Sequence, residues 1–246
     1  MSESLRMWVE VIFNISYLVV VWGLVLVMWW RRNELGPDAR RQANLAIAAF
    51  GLLALGDSGH VGFRVWAYAL GSLESQVQLI GRSFPLIGVG ALMTAITVTF
   101  FYVLMLELWR VRFQRTYGWF EYLLIAAAGI RLVLMAFPIN EWGSTVPPQP
   151  WSIIRNIPLM VQGLGLAYLV LRDAFARQDK TFTWVGISIL VSYACYAPVI
   201  FFVQQAPMIG MLMIPKTMAY LVIGFLAYAD IYRRQRVAEM AVVSQS

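Results

Sequence analysis

The chain has 246 residues, of which 60% are hydrophobic and 13% are charged, and its mean hydropathy is +0.68. This composition is typical of a protein embedded in a membrane and excludes an ordinary soluble domain. The formal net charge of +6 does not indicate a nucleic-acid partner, because most charges lie in short linkers between apolar segments, where they set membrane topology. One histidine and one cysteine argue against a metal centre and exclude a disulfide within the chain.

Seven apolar segments follow one another along the chain, and each is long enough to cross a bilayer as a helix. They cover residues 8–30, 43–69, 86–109, 118–138, 151–171, 182–203 and 207–232. No linker is long enough for a second domain, so residues 1–246 are predicted to form one all-α bundle of seven transmembrane helices. A short polar tail covers 233–246. The first segment exceeds a signal-peptide core and has no cleavage pattern, so we expect it to be retained.

Arginines and lysines are distributed unevenly between the two sets of linkers. Outside the apolar segments, the linkers after the first, third, fifth and seventh segments hold nearly all of them, whereas the other side holds Arg6 and Arg82. The positive-inside rule therefore predicts a cytosolic C-terminus and an N-terminus on the outer side. The arginine-rich inner linkers are candidate docking sites for a cytosolic partner.

One of the two lysines, Lys216, lies near the middle of the seventh segment, directly after Pro215. A charge inside a bilayer costs free energy, so such a residue marks a functional site by default. The second segment carries Asp57, His60 and Arg64 with i, i+3 and i+7 spacing, which places them on one helix face. At a rise of about 1.5 Å per residue, Asp57, His60 and Lys216 lie at similar depth near the bilayer middle.

More polar residues occupy the outer halves of the fourth, fifth and sixth segments, and cations outnumber carboxylates among them. This excess suggests the anionic group of a ligand or lipid. The predicted lining of an outward-opening polar pocket is Asp57, His60, Arg64, Arg131, Arg155, Asn156, Tyr196 and Lys216. Two structural alternatives remain open: Asp57 pairs with Arg64 through His60, or Asp57 pairs with Lys216 while the arginines extend to outer lipid head groups.

The leading functional hypothesis is non-enzymatic: the pocket binds a small amphiphilic or anionic ligand, and the protein is a receptor, sensor or carrier. The alternative is a membrane-embedded enzyme, in which a lysine near a carboxylate and a histidine acts as a nucleophile or acid–base pair on a lipid-like substrate. The proline-rich linker over 139–150 is either a short lid over the bundle or a plain loop.

Three strings, GDSGHVGFR, RNIPLMVQG and MLMIPKTMAY, resemble an uncharacterised set of bacterial seven-span proteins. This resemblance implies the seven-span topology and the plasma membrane of a bacterium, and it implies no activity. A lysine midway along the seventh segment is also similar to the microbial rhodopsins, in which the matching lysine carries retinal as a Schiff base. That resemblance implies retinal on Lys216 with Asp57 as counterion, although the third segment has Thr94 and Thr97 where those proteins place an acidic residue. No other cofactor is expected.

Overall fold

The computed structural model describes residues 3–72, 74–79, 82–144 and 148–243. The α-helices of this part of the chain are α1 Glu3–Arg31, α2 Pro37–Ala69, α3 Leu86–Phe113, α4 Trp119–Ala136, α5 Trp151–Ile154, α6 Ile157–Ala176, α7 Lys180–Phe202 and α8 Met213–Val243. Short 3-10 helices cover Arg32–Glu34, Pro138–Asn140 and Pro207–Leu212. Strands β1 Gln76–Leu79 and β2 Arg82–Pro85 pair antiparallel between α2 and α3.

Seven helical stretches are long and apolar enough to cross a membrane, with α5 and α6 together forming the fifth. The predicted helical bundle is therefore confirmed, and the protein is a multi-pass membrane protein. The hairpin of β1 and β2 is the departure from an all-α fold within the described ranges. It lies in the linker between the second and third membrane-spanning helices, outside both.

Prolines shape the starts of two spanning helices. Pro158 lies in the first turn of α6 and has no N–H to donate to the preceding turn, so the fifth span is broken between Ile154 and Ile157. The side-chain amide of Asn156 donates to the carbonyl of Ser152 at 2.8 Å and satisfies one of the groups at this break. The seventh span opens with a 3-10 helix, which places Lys216 in the first turn of α8.

Helices α2 and α3 lie against each other along their lengths because glycines allow their backbones to approach closely. A Cβ atom built on Gly56 would collide with the side chain of Thr97, and one built on Gly90 would lie 2.9 Å from the carbonyl oxygen of Gly59. Small residues at a helix interface permit such an approach in a membrane, where van der Waals packing drives association. This contact brings the polar residues of α2 next to those of α3.

The linkers rich in arginine meet at one end of the bundle, which we call the arginine-rich end and define by residues 31–36, 110–118, 172–180 and 228–233. Arg31 donates to the Tyr228 hydroxyl at 2.6 Å, and Arg112 forms ion pairs with Asp179 and Asp230. The opposite end, called the loop end, holds residues 74–79, 137–144 and 203–212.

One buried and one half-buried carboxylate hold the arginine-rich end together. Asp173 is 1% exposed and accepts hydrogen bonds from Trp109 at 3.0 Å and Arg115 at 2.8 Å. Glu107 accepts from Arg110 at 2.6 Å and from the Tyr117 hydroxyl at 2.8 Å. Burial and this hydrogen bond raise the pKa of Tyr117. The arginines of this end therefore bind the helices to one another.

Candidate functional site

Lys216 faces aromatic rings. Its Nζ atom lies 4.6 Å from the ring centroid of Tyr196 and 5.1 Å from that of Tyr220, which are distances of cation–π contacts. Within the described ranges it makes no hydrogen bond and no ion pair. The alternative in which Asp57 forms an ion pair with Lys216 is therefore wrong.

Asp57 instead joins three helices through hydroxyl groups. The hydroxyl of Tyr17 on α1 donates to Oδ2 at 2.9 Å, and the hydroxyl of Thr94 on α3 donates to Oδ1 at 2.8 Å. The neighbouring Ser58 accepts from the indole of Trp22 at 3.0 Å. Because both carboxylate oxygens already have donors, Asp57 needs no direct contact with Lys216.

His60 lies one turn after Asp57 on α2. It interacts electrostatically with Asp57, Arg64 and Lys216, and its buried Nδ1 atom has no hydrogen-bond partner among the described residues. Asp57 and Lys216 thus have separate partners, Asp57 on α1 and α3 and Lys216 on α7 and α8, and the convergence of Asp57, His60 and Lys216 stays a prediction. Arg64 is exposed and lines a cavity of about 30 Å³ with His60 and Asn14, a volume close to the share of one water molecule in the liquid.

Arg131 points into the bundle. It is 3% exposed, and its Nη1 atom donates to the hydroxyl of Thr99 at 2.7 Å. The alternative in which the arginines extend to outer lipid head groups is therefore wrong for Arg131, because its position on α4 faces the neighbouring helices.

Arg155 lies at the break between α5 and α6, where the loop end closes over the bundle. Its Nη1 atom donates to the backbone oxygen of Asn140 at 3.2 Å and to Oδ1 of the same residue at 3.3 Å, and its guanidinium lies 4.3 Å from the ring of Trp142. It also interacts electrostatically with Arg131 and Tyr196. Residues 137–144 thus cover Arg155, while residues 145–147 of the same linker lie outside the described residues.

Tyr196 contacts Lys216 and the residue that follows Arg155. Its hydroxyl donates to Oδ1 of Asn156 at 3.2 Å, and Nζ of Lys216 lies 4.6 Å from the centroid of its ring. Asn156 directly follows Arg155 at the break between α5 and α6. We call Arg131, Arg155 and Lys216 the cationic cluster. In the part of the chain that the structure describes, none of the three forms an ion pair with a carboxylate.

Several residues that complete this site were not selected from the sequence. Tyr102 and Tyr220 share a hydrogen bond of 3.0 Å between their hydroxyls, and the Tyr193 hydroxyl donates to the carbonyl of Leu159 at 2.8 Å. Gln162 is 1% exposed and donates to the carbonyl of Thr99 at 3.3 Å. The sequence does contain a pattern that points to these tyrosines, which is their helical spacing. Tyr193 shares a helix face with Tyr196, and Tyr220 shares one with Lys216.

The arrangement is suited to holding an anion among hydroxyl and amide groups. Two guanidinium groups and one ammonium group offer several N–H donors. The described residues contain no group of three metal-ligating side chains. No protein-family model, no curated protein and no solved structure matches this chain. That the eight predicted pocket residues bind a ligand stays a prediction.

Proposed function

We propose that this protein binds a small anionic amphiphile within the membrane, at the cationic cluster of Arg131, Arg155 and Lys216, as a receptor, sensor or carrier. The observation that carries the proposal is that three cations lack a paired carboxylate among the described residues: Arg131 donates to the Thr99 hydroxyl, Arg155 donates to Asn140, and Lys216 lies over the ring of Tyr196. Desolvating an unpaired ion costs several kcal/mol, on the order of the stability of the whole protein. A bound anion offsets this cost.

The position of the cluster favours an amphiphile over a small hydrophilic anion. Arg131 and Lys216 lie within spanning helices, Arg131 is 3% exposed, and Lys216 lies over the rings of Tyr196 and Tyr220. A ligand with an apolar chain partitions into the bilayer and reaches such a site between helices, whereas a hydrophilic anion must displace residues 137–144 at the loop end. The ligand's head group contacts the cations while its chain remains in apolar surroundings.

The orientation and location belong to the same proposal. The arginine-rich end faces the cytosol of a bacterium, and the N-terminus and the loop end face outward, because arginine accumulates on the cytosolic side of membrane proteins. The cationic cluster then lies on the outer side of the bundle, with Arg155 beneath residues 137–144. An open cleft of about 620 Å³ at the arginine-rich end, lined in part by Arg40, Arg41 and Glu107, is available to a cytosolic partner that relays ligand binding.

The test is binding of dodecanoate to the protein purified in an uncharged detergent, with dodecyltrimethylammonium as a probe of equal chain length and opposite charge. We expect saturable binding of dodecanoate only. Lys216→Met and Arg155→Gln should each weaken it about tenfold or more, because a hydrogen bond to a charged group contributes about 1.5–3 kcal/mol.

Arg32→Gln is the matched control, because Arg32 lies at the arginine-rich end beside Trp29 and outside the cluster. Equal binding of both probes, or equal losses in the cluster variants and the control, would contradict the proposal. Conversion of the bound dodecanoate into a product would favour the enzymatic alternative.

A further inference from the structure

Two buried polar atoms beside the cationic cluster lack partners among the described residues, and they have opposite hydrogen-bonding character. The Nε atom of Arg131 is a donor, and the Oε1 atom of Gln162 is an acceptor. Both side chains are almost fully buried, with 3% and 1% of their surfaces exposed. Buried polar groups in native proteins are nearly always hydrogen-bonded, so each of these atoms points to a missing partner.

Both atoms belong to side chains that contact the same residue. Arg131 donates to the hydroxyl of Thr99 at 2.7 Å, and the Nε2 atom of Gln162 donates to the backbone carbonyl of Thr99 at 3.3 Å. Thr99 therefore fixes a cation on α4 and an amide on α6 next to each other.

We infer that the ligand is an amphiphile whose anionic head group carries a neighbouring hydroxyl, such as a long-chain 3-hydroxycarboxylate. This inference rests on the proposed function and adds the class of ligand. The carboxylate accepts from the Arg131 guanidinium, and the hydroxyl donates to Oε1 of Gln162. A plain carboxylate at neutral pH has acceptors only and leaves Gln162 without a donor. A 3-hydroxycarboxylate supplies both functions, an acceptor and a donor, in one small head group.

Binding selectivity should follow from the unpaired acceptor. A buried site that hydrogen-bonds a ligand hydroxyl rejects the analogue that lacks it, because the protein group is then left desolvated without a partner. The selectivity must also disappear when the acceptor is removed, whereas affinity for the plain carboxylate must remain.

The experiment compares 3-hydroxydodecanoate with dodecanoate on the full chain in uncharged detergent. We expect the wild type to bind the hydroxylated probe about tenfold more tightly, which corresponds to about 1.4 kcal/mol. Gln162→Met, which keeps side-chain length and removes the acceptor, should reduce this ratio to about one. Gln42→Met is the control, because Gln42 lies in the first half of α2 near the arginine-rich end, and it should keep the wild-type ratio.

Each outcome separates the inference from the proposed function. Equal binding of the two probes by the wild type overturns the inference and leaves anion binding intact, because a water molecule then satisfies Gln162. A ratio that persists in Gln162→Met also overturns it, since the hydroxyl is then recognised elsewhere. If neither probe binds, the proposed function fails together with the inference. The wild-type comparison needs no variant and therefore does not depend on the folding of Gln162→Met.

Discussion

Asp57 shows how a carboxylate in a membrane helix can be held without a cation in direct contact. Its donors are the hydroxyls of Tyr17 and Thr94, and Tyr17 is 3% exposed. We predict that Tyr17→Phe lowers the stability by about 1.5–3 kcal/mol, the contribution of a hydrogen bond to a charged group. The measurement is the thermal unfolding midpoint in detergent. Tyr68→Phe, at an exposed tyrosine of the same bundle, should leave the midpoint unchanged, and equal shifts would refute the argument.

The surroundings of Lys216 bear directly on whether it can carry retinal. A retinal Schiff base absorbs visible light strongly when it is protonated, and protonation in a buried site requires a nearby anion. Both oxygens of Asp57 already accept hydrogen bonds, and Lys216 has no carboxylate partner in the described ranges. We therefore expect no visible absorption band when the purified protein is incubated with all-trans retinal. A band that disappears in Lys216→Ala would instead establish an opsin-like protein.

At the scale of the helices, the sequence predicts position well and rotation poorly. The segment 182–203 matches α7, Lys180–Phe202, because the bilayer sets the length of an apolar run. Arg64 and Arg131 both lie in apolar segments, yet the first is exposed and the second is buried. Packing between helices decides which face of a helix meets its neighbours. An apolar sequence does not reveal that face, because the residues that contact lipid and those that contact other helices are both apolar.

The contact between α6 and α7 depends on a glycine. A Cβ atom at Gly163 would collide with the ring of Tyr193, which is 4% exposed and held by the carbonyl of Leu159. We predict that Gly163→Ala destabilises the protein by about 1–3 kcal/mol through overpacking. Gly129→Ala on α4 has no atom within 4 Å of the added carbon and should be neutral or stabilising, since alanine favours helix. The measurement is the thermal unfolding midpoint of each variant, and equal midpoints for Gly163→Ala and Gly129→Ala would exclude overpacking at Gly163.

Across the whole molecule, the two ends of the bundle are held by different forces. Ion pairs of Arg112 with Asp179 and Asp230 join α3, α7 and α8 at the arginine-rich end. At the loop end, Arg155 is bound by Asn140 and by the ring of Trp142. The depth of a residue along its own helix could be predicted from the sequence. The partners of Arg112 and Arg155 could not, because they lie on other helices or in a linker far away in the sequence. A ligand that competes for Arg155 acts on the contacts that hold the loop end.

The proposed orientation makes the final prediction, because it decides which side of the membrane the loop end faces. In a Cys195→Ser background, Glu74→Cys places one thiol at the loop end and Asn33→Cys places one at the arginine-rich end, both at exposed positions. A membrane-impermeant maleimide should label Glu74→Cys in intact cells and Asn33→Cys only after permeabilisation, since arginine-rich linkers stay in the cytosol. Permeabilised cells, in which both variants should react, control for thiol accessibility. The reverse pattern would turn the loop end and its covered Arg155 toward the cytosol, and the ligand would then have to come from inside the cell.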